Sequence, residues 1–280
     1  MDRHFFWQTP VAGLLIVMLL PQPVFSESDS ATETGSNYQF ARMDDGMDDT
    51  KPKHREEGGM AMENEKRMEM AHGFPHPFFN HMGIPDMVGM VSARVTGYRQ
   101  GKSGEESSGD SGFHLEAGIY PRLGLHIRNN EIKQSPRTDV MLMYSVYQDE
   151  KGESGISIFG GALIPSGTIP KGQDDAIGAF GISGRKAVGE IAIFDGNIHY
   201  MPEMEMTEIG LSGIYKSSAS LFPILEMEGK LTEDATMIYL LPALKFKLKP
   251  ELFLGVGSQI PLTSDKEFDS RALIQIDAAW

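Results

Sequence analysis

The 280-residue chain contains no cysteine. That absence excludes disulfides, thiolate metal sites and cysteine nucleophiles. With no cysteine beside a candidate cleavage site, it also excludes a lipoprotein anchor. Basic residues are scarce: 25 Lys and Arg stand against 39 Asp and Glu, for a formal charge of −14. General nucleic-acid binding needs a basic footprint, so nucleic acid is not an expected partner. Beyond the N-terminus no run approaches the roughly 18 apolar residues of a membrane-spanning helix. Catalytic groupings are missing too. Ser, His and Asp all occur, but nothing in their spacing gathers a nucleophile with its base. The many glycines fall in strands and turns, not in a phosphate-cradling loop, so no enzymatic activity is expected.

The N-terminus does hold one short apolar run. Arg3 and His4 precede the ten-residue stretch VAGLLIVMLL (11–20), and Val24-Phe25-Ser26 places small or medium side chains at a cleavage site. Residues 1–26 therefore read as a secretory signal peptide, cleaved before Glu27.

Residues 27–83 show no sustained period and few branched aliphatics; Asp, Glu, Ser, Gly and Met dominate. Such a segment buries too little apolar surface to offset its ordering entropy, so a disordered arm is expected. Methionines recur at Met60, Met62, Met68, Met70 and Met82, with His72, His76 and His81 interspersed. Thioether sulfur suits copper(I), and imidazole suits copper(II), zinc or nickel, so copper or another soft metal ion is the candidate ligand. The same composition also describes a solvated, Met-rich acidic tail. HGFPHPFFNHMGIP (72–85) differs, because Phe74, Phe78 and Phe79 among prolines point to an anchored piece. It can sit at a barrel mouth, at a membrane interface, or in a lumen as a plug.

From residue 84 onward the chain alternates with period two. In SRALIQIDAAW (270–280), Ala272, Ile274, Ile276, Ala278 and Trp280 share one face, and Arg271, Leu273, Gln275, Asp277 and Ala279 the other. Spanning strands need about 9–11 residues with an apolar outer face and a polar inner one. Counting back from Trp280, strands are expected near 270–280, 251–260, 236–247, 219–228, 206–215, 189–199, 176–184, 154–164, 138–148, 122–129, 112–120 and 86–99. The expected fold is all-β: a transmembrane antiparallel up-and-down barrel of twelve strands over residues 84–280, with ten as the alternative. Connections alternate between longer polar segments (263–269, 230–235, 200–205, 165–175, 129–137, 100–110) and tight ones (248–250, 216–218, 185–189, 149–153, 121–122). That parity is the pattern of outer-membrane barrels. It implies a Gram-negative outer membrane, with lipid and the barrel assembly machinery as partners and the arm in the periplasm.

The same alternation assigns a lumen lined by Arg94, His114, Glu116, Arg122, His126, Arg128, Asp139, Glu226, Glu228, Lys245, Lys247, Arg271 and Asp277, with Tyr120 and Tyr239 also pointing inward. These side chains read as a ladder of mixed charge that lines or fills a narrow path. His114, Glu116 and His126, on one hairpin, can ligate a metal or form a polar network.

FHLEAGIYPRLGLHIRNN (113–130), TDVMLMYSVYQDEKGESGIS (138–157), the following IPSG (164–167) and the block LLPALKFKLKPELFLGVGSQIPLTSDKEFDSRALIQIDAAW (240–280) resemble the outer-membrane transporter family of the MetA pathway of phenol degradation. The resemblance covers about residues 110–280. It implies a channel or transporter-like barrel moving a small, often hydrophobic solute, and it carries over no site residues. The arm resembles instead the N-terminal tracts of copper-resistance outer-membrane proteins, without their repeat blocks. A channel and a metal-binding protein acting through its arm are the two functions the residues support.

Overall fold

The computed structural model describes residues 73–133, 137–167 and 175–280. The expected signal peptide and most of the expected arm, including Met60, Met62, Met68, Met70 and His72, lie outside them. Twelve strands form: β1 (Val91–Gly101), β2 (Ser108–Tyr120), β3 (Leu123–Asn129), β4 (Arg137–Gln148), β5 (Gly155–Pro165), β6 (Ile177–Val188), β7 (Ala192–Met201), β8 (Met206–Tyr215), β9 (Leu221–Leu231), β10 (Thr236–Lys249), β11 (Leu252–Pro261) and β12 (Ser270–Ala279). Each pairs antiparallel with its sequence neighbours, and β1 pairs with β12 to close the barrel. The closing seam runs from Ser92 opposite Ala279 to Gly101 opposite Ser270. Reciprocal 2.9 Å backbone hydrogen bonds between Val91 and Trp280 finish it. No strand edge is left open, which hydrocarbon requires because it offers no partner to a bare N–H or C=O. No helix among the described residues is long and apolar enough to cross a membrane.

Alternation sorts the side chains as expected. On β12, Ile274 and Ile276 stand about half exposed on the outside, while Arg271, Leu273, Gln275 and Asp277 are buried inside. Val95, Leu142, Ile158, Ile182, Leu225 and Leu244 continue the outer apolar surface. In water so large an apolar belt would be anomalous; facing acyl chains it is the required surface. Tyr120, Tyr147, Tyr215 and Trp280 are all exposed near strand ends at the rim of the tighter turns. They form part of an aromatic girdle, as expected at a membrane–water boundary.

Three expectations need correction. First, β1 begins at Val91, not residue 86. Residues 73–90, which the sequence divides between arm and first strand, run inside the barrel. Second, the connection parity is weaker than the sequence implies. Strands β7 and β9 run on into segments read as loops, leaving 202–205 and 232–235 no longer than 149–154 and 216–220 on the opposite rim. Third, Arg122 and Tyr120 do not line the lumen. The β2–β3 pairing shifts register between Gly118 and Tyr120. Arg122 then sits exposed in the turn with φ 66°, and Tyr120 faces outward. A register shift resets alternation, and period-two counting cannot see it.

The outer face generates a test. Ile274→Lys, at mid-strand, should cost about 2–4 kcal/mol, whereas Ile260→Lys, near the loop rim, should cost about 0–1. Equilibrium unfolding in lipid vesicles reads the difference; equal costs at the two depths would contradict the lipid-facing assignment.

Candidate functional site: the occupied lumen

Residues 73–90 enter the lumen from the turn rim, bend near Phe79–Gly83 and return to β1. They lack regular structure, so their backbone groups need partners from the wall, and inward charged and polar residues provide them. The Glu226 carboxylate accepts the N–H groups of Phe78, Phe79 (3.1 Å) and Asn80 (3.5 Å). Asp195 accepts from the Gly83 N–H at 2.9 Å while held by Arg185 at 2.7 and 3.0 Å. Ser157 and Ser183 donate to the Gly83 carbonyl at 3.0 and 3.2 Å. Arg94 donates to the Pro77 carbonyl at 2.7 Å, Lys245 to His76 at 2.6 Å and Gln275 to Phe78 at 3.0 Å.

Close approach at two glycines makes room for this path. A Cβ on Gly83 would lie 2.1 Å from the Gly184 carbonyl carbon, and one on Gly118 would lie 2.0 Å from the Met87 carbonyl oxygen. At the exit, Gly118 donates to Met90 and accepts from Gly89 at 3.0 and 2.9 Å.

The inner wall is therefore not the continuous charge ladder the sequence implies. Two apolar patches interrupt it. Phe78, Phe79 and Phe74 pack on Tyr98, Ile214, Phe222, Ile224, Leu241, Ala243, Phe253 and Leu273. A second patch gathers Met141, Met143, Phe159, Ala179 and Met201. These apolar residues occupy inward positions of strands read mainly for their charges. Their complement is the phenylalanine pair of the segment itself, which is distant in sequence.

Between the patches lie the ionisable residues. Arg94 contacts His114 and Glu116 and stands opposite Asp277 in the closing seam, where Asp277 pairs with Lys245. Arg128 binds Asp139 at 2.6 Å and lies 3.6 Å from Glu208. Lys245 also sits 4.6 Å from the Phe78 ring centre, and Lys247 lies half-buried at the rim, 6.0 Å from that of Phe253. Arg122 and Tyr120 excepted, the residues expected to face the lumen lie on the inner side of their strands. Sequence reading missed Asp195, Asn197 and His199, which alternate on β7 with outward Phe194 and Tyr200. Strict alternation across 192–201 was the signal that could have found them.

His76, His81 and Met82, the described members of the expected metal set, belong to the luminal segment. His81 and Met82 are buried. His81 reaches His114 and His126: one ring nitrogen from each lies within 4.8 Å of the others. His76 lies apart from them, with Nδ1 3.8 Å from Glu116.

The loop rim is covered by 262–269. Phe268 is buried and stacks on Tyr239 at 4.8 Å. The Arg271 guanidinium lies between Phe268 and Tyr98, 4.0 and 4.3 Å from their ring centres, and donates to Glu131 and Gln100 at 2.7 Å. Gln259 bridges from Arg271 to Glu228, donating to the latter at 2.8 Å. Lys230 holds Glu267 at 3.1 Å. Asp269 ties the loop to the β1–β2 connection by accepting from Ser103 N–H at 2.6 Å. The hydrogen bond from Lys266 first, then those from Ser103, hold its carboxyl down at about 2.

No protein-family model matches the chain, and no curated protein matches it. Solved structures do. An outer-membrane channel from Pseudomonas putida F1 superposes with a TM-score of 0.50 at 10% identity, covering 74% of this chain and 100% of that one. The KdgM porin in complex with disordered oligogalacturonate gives 0.48 at 10% identity, over 68% and 99% of the two chains. The NanC porin gives 0.47 at 8%, over 68% and 98%. At such identity the first likeness is one of fold, that of an outer-membrane β-barrel. The transporter-family resemblance rests on the sequence blocks that carry it.

Two outcomes follow from these contacts. Glu226→Gln should speed amide exchange at Phe78 and Phe79 about tenfold or more, since hydrogen bonds to a charged group contribute about 1.5–3 kcal/mol. Mass-spectrometric exchange in detergent reads this, and unchanged rates would mean the carboxylate does not hold the segment. A depressed carboxyl favours the folded contact fully above its unfolded value near 3.9 and loses it as pH falls through the folded value. The Asp269 latch should therefore persist through mild acid, with the Ser103 amide shift titrating at about 2; a midpoint at the ordinary Asp value would refute it.

Proposed function

We propose that this chain is an outer-membrane channel for a small solute, held shut by its own luminal segment, residues 73–90. One observation carries the reading: the wall residues that would face water in an open barrel are engaged with the backbone of a removable, irregular segment. Arg94, Asp195, Glu226, Lys245 and Gln275 all contact residues 76–83. If the segment withdraws, these groups can be hydrated and line a path. Withdrawal also bares Phe222, Phe253, Ile214 and Leu241, now covered by Phe78 and Phe79. That apolar strip supports a small hydrophobic cargo, as the transporter-family resemblance implies. We assign the turn rim, and with it the arm preceding residue 73, to the periplasm, because short turns mark that side in outer-membrane barrels. No reaction is assigned.

A second reading takes the Met/His arm as a copper-type metal-binding device, with the barrel as anchor or exit. It is favoured by the burial of His81 beside the imidazoles of His114 and His126, with Met82 buried next to it in the chain. Substituting Met60, Met62, Met68, Met70 and His72 together should then lower bound copper per chain; unchanged copper content would end this reading.

The channel reading is tested by Gly83→Val. The new side chain collides with backbone at Gly184 and should expel the segment without altering any wall charge. In planar bilayers the native chain should show little conductance and the variant a clear increase, by about tenfold or more, as expected if a packed collision costs 1–3 kcal/mol. A variant that remains heat-modifiable on gels but conducts no better than the native chain would overturn the proposal.

A further inference from the structure

Four of the chain's eight histidines converge at one level of the lumen. His81 is the hub. Its ring centre lies 5.8 Å from those of both His114 and His126, and theirs lie 5.7 Å apart. His199 borders the group at 6.2 Å from His81. We propose that His81, His114 and His126 form a binding site for a divalent first-row transition ion of the zinc type, and that this ion fastens the luminal segment to the barrel wall.

The geometry is nearly assembled. Imidazoles bound head-on to one tetrahedral ion at about 2.0–2.1 Å put their ring centres on the order of 5 Å apart. The observed triangle needs to contract by less than about an ångström to reach that spacing. All three rings are at least 95% buried, and among the described residues neither ring nitrogen of His81 or of His126 has a hydrogen-bond partner. Buried polar atoms are normally paired; one nitrogen from each ring lies within 4.8 Å of the others, so an ion between them would take up one unpaired nitrogen of His81 and one of His126. His114 is also engaged by Arg94 and Glu116, whereas His81 and His126 are left without hydrogen bonds among the described residues.

The surroundings fit an ion held by neutral imidazoles. Glu116 lies 3.1 Å from His114 Nε2 and 3.8 Å from His126 Nδ1, and its Oε2 has no hydrogen-bond partner. It brings negative charge against both the ion and Arg94, whether as a ligand or behind the ligands, where carboxylates orient metal-binding histidines. Glu208, 3.6 Å from His199 Nδ1, plays the same part opposite Arg128. Phe159, with its ring 5.2 Å from that of His81, and the methionine patch close the far side. An all-imidazole donor set selects zinc, copper or nickel over calcium and magnesium, which demand oxygen.

The ligands divide in a telling way. His114 and His126 are diagonal neighbours on β2 and β3: His114 stands opposite Arg128, and His126, two residues along, opposite Glu116. His81 lies at the bend of the segment, between the anchors at Phe79 and Gly83. An ion shared among them is a staple between plug and wall, so withdrawal of the segment requires it to lose a ligand. The fastening role rests on the channel reading above; the metal site itself does not.

The test uses the full chain purified in detergent, with zinc as the probe in equilibrium dialysis. One ion per chain should bind at this site. His81→Gln and His126→Gln should each weaken that binding by at least a hundredfold, while His54→Gln should retain it. Heat-modifiable gel mobility checks that each barrel is folded. In the native chain, which requires no substitution, zinc should slow amide exchange across residues 79–84 at least tenfold. Zinc binding indifferent to both His81 and His126, no zinc binding at micromolar concentration, or exchange unaffected by bound zinc would each overturn the proposal. Neither readout depends on conductance, so failure of the channel reading leaves this one separately decided.

Discussion

Backbone closure is the constraint from which the rest of this structure follows. A sheet in hydrocarbon must pair every N–H and C=O within itself, and here the β1–β12 seam does so over the length of both strands. Once the sheet closes, alternation has only two destinations, lipid and lumen. Outward positions collect Val95, Ile274 and their like, and inward positions collect whatever the lipid rejects. The concentration of Arg94, Glu116, Lys245 and Asp277 in the interior is thus a consequence of closure before it is a matter of function.

A charged interior can be stabilised by water or by protein, and this chain uses protein. Residues 73–90 bring bare backbone amides and carbonyls to side chains that need partners. Glu226 takes three successive N–H groups, and Arg94, Lys245 and Gln275 find carbonyls. Polar contacts of this kind can be exchanged for water at modest net cost, because folding and hydration offer comparable hydrogen bonds. The phenylalanine contacts cannot be exchanged so easily. The segment therefore joins a replaceable polar half to an apolar half that favours the seated state, the combination that the proposed withdrawal would need.

The two rims are closed differently. At the loop rim, 262–269 folds back through Phe268, and Arg271 lies between two aromatic faces while its donors reach Glu131 and Gln100. That closure belongs to a connection between adjacent strands and is local in sequence. At the turn rim the occupant comes from outside the barrel strands, and deeper in the lumen its His81 meets imidazoles from two other stretches of chain.

By itself, the sequence determined the strands, their number and the face of most side chains, because a period of two is a local property that lipid on one side enforces strictly. It also marked Phe74, Phe78 and Phe79 as an anchored piece, leaving a plug among three options, and it named His81, His114 and His126 in two separate candidate sets. It misplaced Arg122 and Tyr120, since a register shift near a turn leaves no trace in composition. It passed over Asp195 and His199, whose alternation was legible but unremarked. What only the tertiary structure decided was which inward residues meet. Curvature brings β2, β3 and β7 around a common axis, and the segment returning through that axis delivers His81 to His114 and His126. Proximity across a closed barrel depends on register and on the path of the inserted chain, and neither is encoded in the spacing of residues along a single strand.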